Sequence, residues 1–111
     1  MGKEMKLLGK ITFAEYGAIR DYPFMMGLQL GFSLSDGSAV MDGGKHAVNM
    51  NPDCKWKTMN REVAITKSVE YVYDILKAAK ATYVSDLIGK PVEVELENYT
   101  FKDFRILTEV L

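Results

Sequence analysis

Residues 60–80 read NREVAITKSVEYVYDILKAAK, and this stretch decides the fold. At 100° per residue it predicts a long helix with one apolar stripe and an opposite charged side. The stripe consists of Ile65, Val69, Val72, Leu76 and Ala79, and the charged side of Lys67, Glu70, Asp74 and Lys77. We expect the stripe to pack on a sheet and the charged side to face water.

A second apolar row flanks the stripe and makes the apolar arc wider than one small sheet normally covers. This row consists of Ala64, Tyr71, Ile75 and Ala78. An apolar row left exposed in a monomer indicates a contact with a partner, so we assign these residues to an interface between subunits. The alternative is that the row packs under a loop of the same chain.

The segments around the helix alternate apolar and polar residues, which predicts antiparallel strands. The predicted strands are 6–16, 25–34, 39–41, 92–97 and 101–111, and 17–24 is predicted as a connection with Arg20 and Asp21 at its tip. Residues 81–88 predict a short helical turn, with Ser85 or Thr82 as a possible cap and Gly89 at its end. The sequence therefore predicts one α+β domain, residues 1–111, in which an antiparallel sheet of about five strands packs on one long helix.

Two glycines, Gly27 and Gly31, lie on the polar face of the predicted strand 25–34. Glycine inside a strand marks either a β-bulge or the close approach of another group, such as a ligand or a helix. The run Gly43-Gly44-Lys45 could hold a phosphate, but it lacks the spacing of a P-loop, so a flexible loop is the simpler interpretation.

Composition excludes several classes of function. The chain has 111 residues, a net charge of −1 and a pI of about 5.8, which disfavours binding of duplex nucleic acid. One cysteine and one histidine give no internal disulfide, no zinc site and no catalytic triad, so we expect neither an enzyme nor a bound cofactor. With no stretch able to span a bilayer and no signal peptide, we expect a cytoplasmic protein.

Binding is easier to motivate, because arginine and aromatic side chains can bracket a phosphate and stack on a base. The arginines predicted at loop tips or element ends are Arg20, Arg61 and Arg105. Trp56 lies between Lys55 and Lys57, although a lone tryptophan is also a common core residue at a helix start. Arg105 lies opposite an acidic strand, so a cross-strand ion pair with Glu93 or Glu95 is its structural alternative.

Three segments carry a resemblance to a known family: GKITFAEYGAIRDYPFMMGLQLGFSL near the start, CKW before the helix and LIGKPVEVELENYTFKDFRILTEVL at the end. They resemble small phage and prophage proteins, in the branch that includes the anti-Thoeris sponge proteins. The resemblance implies a homo-oligomer, a dimer or a dimer-based hexamer. It also implies capture of a cyclic ADP-ribose isomer, and in some members of cyclic oligonucleotides, without cleavage. The positions that match the binding residues of the family are Asn98, Tyr99, Phe101 and Arg105, with Arg61 and Trp56 from the helix start.

Two functions therefore compete. The first is a counter-defence protein that sequesters a cyclic nucleotide in the host cytoplasm, and the second is a small protein-interaction or inhibitor module that acts through an exposed helix face. Binding of single-stranded nucleic acid is a third option, which the net charge disfavours.

Overall fold

The computed structural model describes residues 4–19, 21–44, 46–52 and 61–111. The strands are β1 (Glu4–Ile19), β2 (Tyr22–Leu34), β3 (Ala39–Asp42), β4 (Val48–Asn49), β5 (Pro91–Glu97) and β6 (Thr100–Ile106), and the helices are α1 (Arg61–Ala79) and the 3₁₀ helices Val84–Leu87 and Thr108–Val110. All pairings are antiparallel in the order β3-β2-β1-β5-β6, with β4 added onto β2. The α+β class is confirmed, with six strands rather than about five, because a two-residue strand has no sequence signal.

β1 is the central strand and has two halves with different neighbours. Residues 4–10 pair with β5, and residues 9–19 pair with β2. Where the pairing with β5 ends, β1 and β2 continue together as an arm, which is formed by residues 12–19 of β1 and 22–31 of β2. The prediction of a connection over 17–24 is therefore wrong except at its tip. Pro23 is accommodated because a strand tolerates proline near its first residue.

The sheet is strongly curved, and the core fills its concave face. Phe32 on β2 and Phe101 on β6 stack with ring centroids 5.4 Å apart, although β1 and β5 lie between their strands. In a flat sheet three strand spacings would separate these backbones by about 14 Å. The fully buried side chains of this core are Phe32, Ile11, Leu30, Leu87, Val92 and Val94.

The helix packs with part of its predicted apolar stripe and with the flanking row. Its buried residues are Ser68, Ile75 and Ala79. The half-buried residues that pack against the same core are Tyr71, Val72, Leu76 and Ala78. Val69, assigned to the core, is 54% exposed, and Ile65 is also exposed. The centre of the packing face is rotated by about 60° from the centre of the predicted stripe. The row assigned to a subunit interface, Tyr71, Ile75, Ala78 and the half-buried Ala64, thus lies largely on the sheet side of α1.

The structure also explains the two glycines of β2. A Cβ on Gly27 would lie 2.8 Å from Cα of Ala47, so the loop after β3 packs directly on this backbone. A Cβ on Gly31 would lie 2.9 Å from Cβ of Phe13, where a bulge in β1 opposes Gly31. The close approach at Gly27 therefore comes from the chain itself, and the bulge lies in the opposite strand.

The C-terminal part departs from the predicted strand 101–111, because β6 ends at Ile106 and a 3₁₀ helix follows. The turn before β5 is confirmed as a 3₁₀ helix that Gly89 ends with a φ of +91°. Its cap is Tyr83 instead of Ser85 or Thr82, since the Asp86 carboxylate accepts a hydrogen bond from the Tyr83 N–H at 2.9 Å. Among the described residues, no helix combines the length and the apolar character needed to cross a membrane.

Candidate functional site

Arg105, the first residue of the predicted ligand site, is held by two carboxylates. Its Nε lies 3.1 Å from Oε1 of Glu93 across the β5–β6 pair, and its Nη1 lies 3.1 Å from Oε1 of Glu109. The hydrogen bonds that Arg105 donates to Glu109 and then to Glu93 raise the pKa of the guanidinium. The cross-strand ion pair is confirmed, and an incoming phosphate would have to compete with both carboxylates.

The other predicted ligand residues are spread over the molecule. Asn98 and Tyr99 form the β5–β6 turn with φ values of +54° and +64°, as a tight hairpin turn requires. Phe101 stacks on Phe32 in the core. Trp56 and Arg20 lie outside the described residues.

Arg61 and Arg105 are not brought together. Arg61 is the first residue of α1, and its Nη2 donates to the backbone oxygen of Asn51 at 2.7 Å. Arg105 lines a cleft with Asp74 and Ala78, in the last turns of the helix. At 1.5 Å per residue, the 13 residues between Arg61 and Asp74 place the two arginines about 20 Å apart along the helix axis.

The convex face of the sheet carries charges of both signs. Nζ of Lys102 lies 2.9 Å from Oε1 of Glu4 and 3.7 Å from Oε1 of Glu95. The hydrogen bond between Lys102 and Glu4 lowers the pKa of the carboxyl and raises that of the ammonium. A small hollow of about 160 Å³ lies beside it, lined by Lys6, Glu93, Glu95, Asp103, Phe104 and Arg105. These ion pairs connect β1, β5 and β6 across this face.

One carboxylate is buried, and it fastens the loop after β3 to the helix. Asp42 is 4% exposed, and its side chain accepts from the Gly44 N–H at 3.2 Å and from the Tyr71 O–H at 3.4 Å. The His46 ring packs on the Tyr71 ring with centroids 4.3 Å apart. Burial, followed by the charges of Asp42 and Asp103, raises the pKa of Tyr71. Within the described ranges, no three His, Cys, Asp or Glu side chains are arranged to hold a metal.

An apolar surface lies between α1 and the arm. One hollow of about 410 Å³ is lined by Tyr16, Val69, Val72, Tyr73, Leu76 and Val84. A second of about 140 Å³ is lined by Tyr16, Met26, Val48, Met50, Ile65 and Ser68. Tyr16 lines both hollows, so they form one continuous surface. No charged side chain is among these lining residues.

The arm extends this apolar surface toward its tip. Along β2, Tyr22 and Phe24 follow the alternation that places Met26 and Leu28 on the concave side. Their rings meet edge to face with centroids 6.2 Å apart, and they are 58% and 44% exposed. We name the surface lined by both hollows and by these two rings the apolar surface. The sequence interpretation missed it because it began this strand at Met25 and placed the whole apolar stripe of α1 in the core.

Comparisons with known proteins give no family and no function for this chain. No family model, curated protein or solved structure matches the chain. The resemblance to the sponge proteins therefore stays a prediction, and the function has to be argued from the surface itself.

Proposed function

We propose that the protein is a protein-interaction module and that the apolar surface is its interface. The observation that carries the proposal is the uncharged lining that the two hollows share through Tyr16, continued by the exposed rings of Tyr22 and Phe24. A contiguous apolar surface of this kind marks a site of contact with another protein.

The shape of the chain supports the same proposal. Its radius of gyration is 14.8 Å, and a compact domain of 111 residues has about 13 Å. The arm is an extended part of the chain, because beyond β5 it consists of β1 and β2 with only short additions from β3 and β4. A two-stranded ribbon is marginally stable alone in water, so the arm gains from a partner that covers its apolar side.

The chemistry of the surface favours a protein over a phosphorylated ligand. Phosphate recognition requires cations or converging N–H groups, and among the described residues no cationic side chain lines either hollow. Sequestration of a cyclic nucleotide stays a prediction, but its favoured residue, Arg105, already pairs with Glu93 and Glu109. The complementary partner is a protein surface with protruding apolar side chains and no charge at its centre.

Aromatic side chains should dominate the binding energy. Tyr73 is 63% exposed beside the larger hollow, and Tyr16 lines both hollows. Tyrosine is enriched among the few residues that carry most of the binding energy of an interface. We expect Tyr73→Glu to abolish binding, because it places a charge in a contact from which water is excluded.

Site-specific photo-crosslinking tests the proposal. A photo-reactive residue at Val69 should give an adduct of discrete mass under native conditions, and one at Lys67, on the charged side of the same helix, should not. Introducing Tyr73→Glu into the Val69 protein should remove the adduct while far-UV circular dichroism stays unchanged. Equal adducts at both positions, or none at Val69 in the cells that produce the protein, would refute an interface here.

A further inference from the structure

We infer that the partner on the apolar surface is a second copy of this chain, joined to the first by antiparallel pairing of the open edge of β1 in the arm. The inference rests on the proposed function, since it names the partner of the same surface. It is carried by a second observation, the state of the β1 backbone.

The outer half of β1 has a strand on only one side. Its pairing with β5 ends at Lys10. The N–H of Ile11 then donates to the oxygen of Lys90 at 3.1 Å, and the oxygen of Ile11 accepts from the N–H of Gly89 at 2.7 Å. After Ile11 the chain that leads into β5 turns away, and residues 12–19 pair with β2 alone.

The geometry of a strand identifies the backbone groups on this open edge. Ile11 directs its side chain into the core and its backbone groups toward the β5 side. Side-chain face and backbone edge alternate together along a strand, so other residues with core-facing side chains share that edge. After the bulge these include Tyr16, opposite Leu28, and Ala18, opposite Met26. Within the part of the chain that the structure describes, their backbone groups make no hydrogen bond on this edge.

This edge also lacks the usual protection against pairing. Edge strands are normally covered, shortened or interrupted by proline or an inward-pointing charge. Here the segment 14–18 reads AEYGA, and its only charge, Glu15, lies on the convex face, opposite Gln29. Tyr16 and Ala18 are both exposed. An edge of this kind is a template for another strand.

A second copy would form hydrogen bonds with the open edge of β1 and would also cover the hollow. In an antiparallel pair related by a two-fold axis, Tyr16 lies opposite Ala18 of the other copy, and the two such pairs exchange four backbone hydrogen bonds. The added strand lies about 4.8 Å beyond β1, on the side where Tyr16 borders the hollow of about 410 Å³. The arm of each copy therefore covers the hollow of the other. A net charge of only −1 per chain puts little repulsion in the way.

Hydrogen exchange followed by NMR tests the pairing residue by residue. In the dimer, the amides of Tyr16 and Ala18 should exchange about tenfold or more slowly at about 1 mM protein than at about 10 µM, because only pairing protects them. The amides of Glu15 and Gly17, which point toward β2, should be protected at both concentrations. Light scattering at the higher concentration should give twice the chain mass of 12.5 kDa.

A proline supplies the matched variant. Ala18→Pro removes one N–H from the open edge, where a strand tolerates proline, and Ala18→Thr keeps it. We expect the proline variant to be monomeric at 1 mM and the threonine variant to be dimeric, with the same far-UV circular dichroism. If the proline variant fails to fold, exchange in the unmodified chain decides.

The outcomes separate this inference from the proposed function. A dimer whose Tyr16 and Ala18 amides exchange freely at both concentrations would overturn the edge pairing and leave the interface proposal standing. A chain that is monomeric at every concentration would overturn the second copy as partner. In that case a Val69 adduct with a different protein would still support the proposed function, and no adduct would refute both.

Discussion

Replacing Gly27 by alanine should loosen the contact between the arm and the loop after β3. The added Cβ would lie 2.8 Å from Cα and 2.9 Å from Cβ of Ala47. Both atoms belong to or adjoin the backbone, so the loop itself has to move. Gly17, directly opposite in β1, offers a matched control, because a Cβ there meets nothing within 4 Å.

The magnitude follows from the difference between the two variants. Either alanine reduces the entropy of the unfolded chain by a similar amount, a stabilisation of about 0.4–1 kcal/mol where the native backbone accepts it. Only Gly27→Ala adds the cost of overpacking, about 1–3 kcal/mol. The free energies of unfolding should therefore differ by about 1–3 kcal/mol, with Gly17→Ala the more stable variant.

Thermal unfolding followed by circular dichroism measures this difference, with both variants at the same low concentration. An unfolding entropy of about 2.1 cal/mol/K per residue gives roughly 0.23 kcal/mol/K for 111 residues, so Tm should differ by about 4–13 °C. A Gly27→Ala protein that melts within about 2 °C of the Gly17→Ala protein would show that the loop does not pack on this backbone, and the reasoning would fail.

Three further changes test the core and its polar contacts. Phe32→Ala should lower the free energy of unfolding by about 3–5 kcal/mol in urea titrations, and Phe32→Leu by less than about 1.5, since leucine keeps most of the volume; equal losses would contradict the ring stack. Burial raises the pKa of Tyr71 above its usual 10.0, so the stabilisation by the Tyr71 hydroxyl is present below pH 10 and is lost as the pH rises above it. Tyr71→Phe lacks the hydrogen bond to Asp42 and should therefore be less stable than wild type at pH 7, with the difference shrinking above pH 10. A difference in stability that is the same at pH 11 as at pH 7 would contradict this reasoning. Hydrogen bonds that Ser38 donates lower the pKa of Asp36. Wild type should therefore have a higher urea midpoint than Asp36→Asn at pH 7, and the two midpoints should converge as the pH falls below about 3.9. A difference between the midpoints that persists at pH 2 would show that the ionised carboxylate is not its cause.

Local patterns predicted the elements well and their mutual orientation poorly. The helix was predicted at 60–80 and spans Arg61–Ala79, because its periodicity is internal to the segment. Its packing face was predicted only in part, with Ile65 and Val69 placed wrongly, because apolar residues cover more than half of the circumference of the helix. Nothing within the helix distinguishes the part that the curved sheet covers, where Ser68 is buried, from the part left open, where Val69 is exposed.

Contacts between distant segments explain the other differences. The Arg105–Glu93 pair could be predicted, because Asn98 and Tyr99 fix the turn of a local hairpin. The approach of Ala47 to Gly27 could not, since it depends on where a separate loop packs. The apolar surface could not be predicted either, because its prediction requires both the orientation of α1 on the sheet and the full length of β2.

The central position of β1 also determines when the chain can fold during its synthesis. Its first half pairs with β5, for example Glu4 with Glu97 and Lys10 with Pro91. At about 5–20 residues per second, a ribosome needs roughly 4–16 s to make the 80 or so residues between these partners. Until then β5 and β6 cannot cover the concave face of β2, and the nascent chain exposes this apolar strand to water or to a chaperone. The β5–β6 hairpin therefore completes this fold, and a ribosome that stops before residue 91 releases a chain that lacks the core residues Val92, Val94, Leu96 and Ile106.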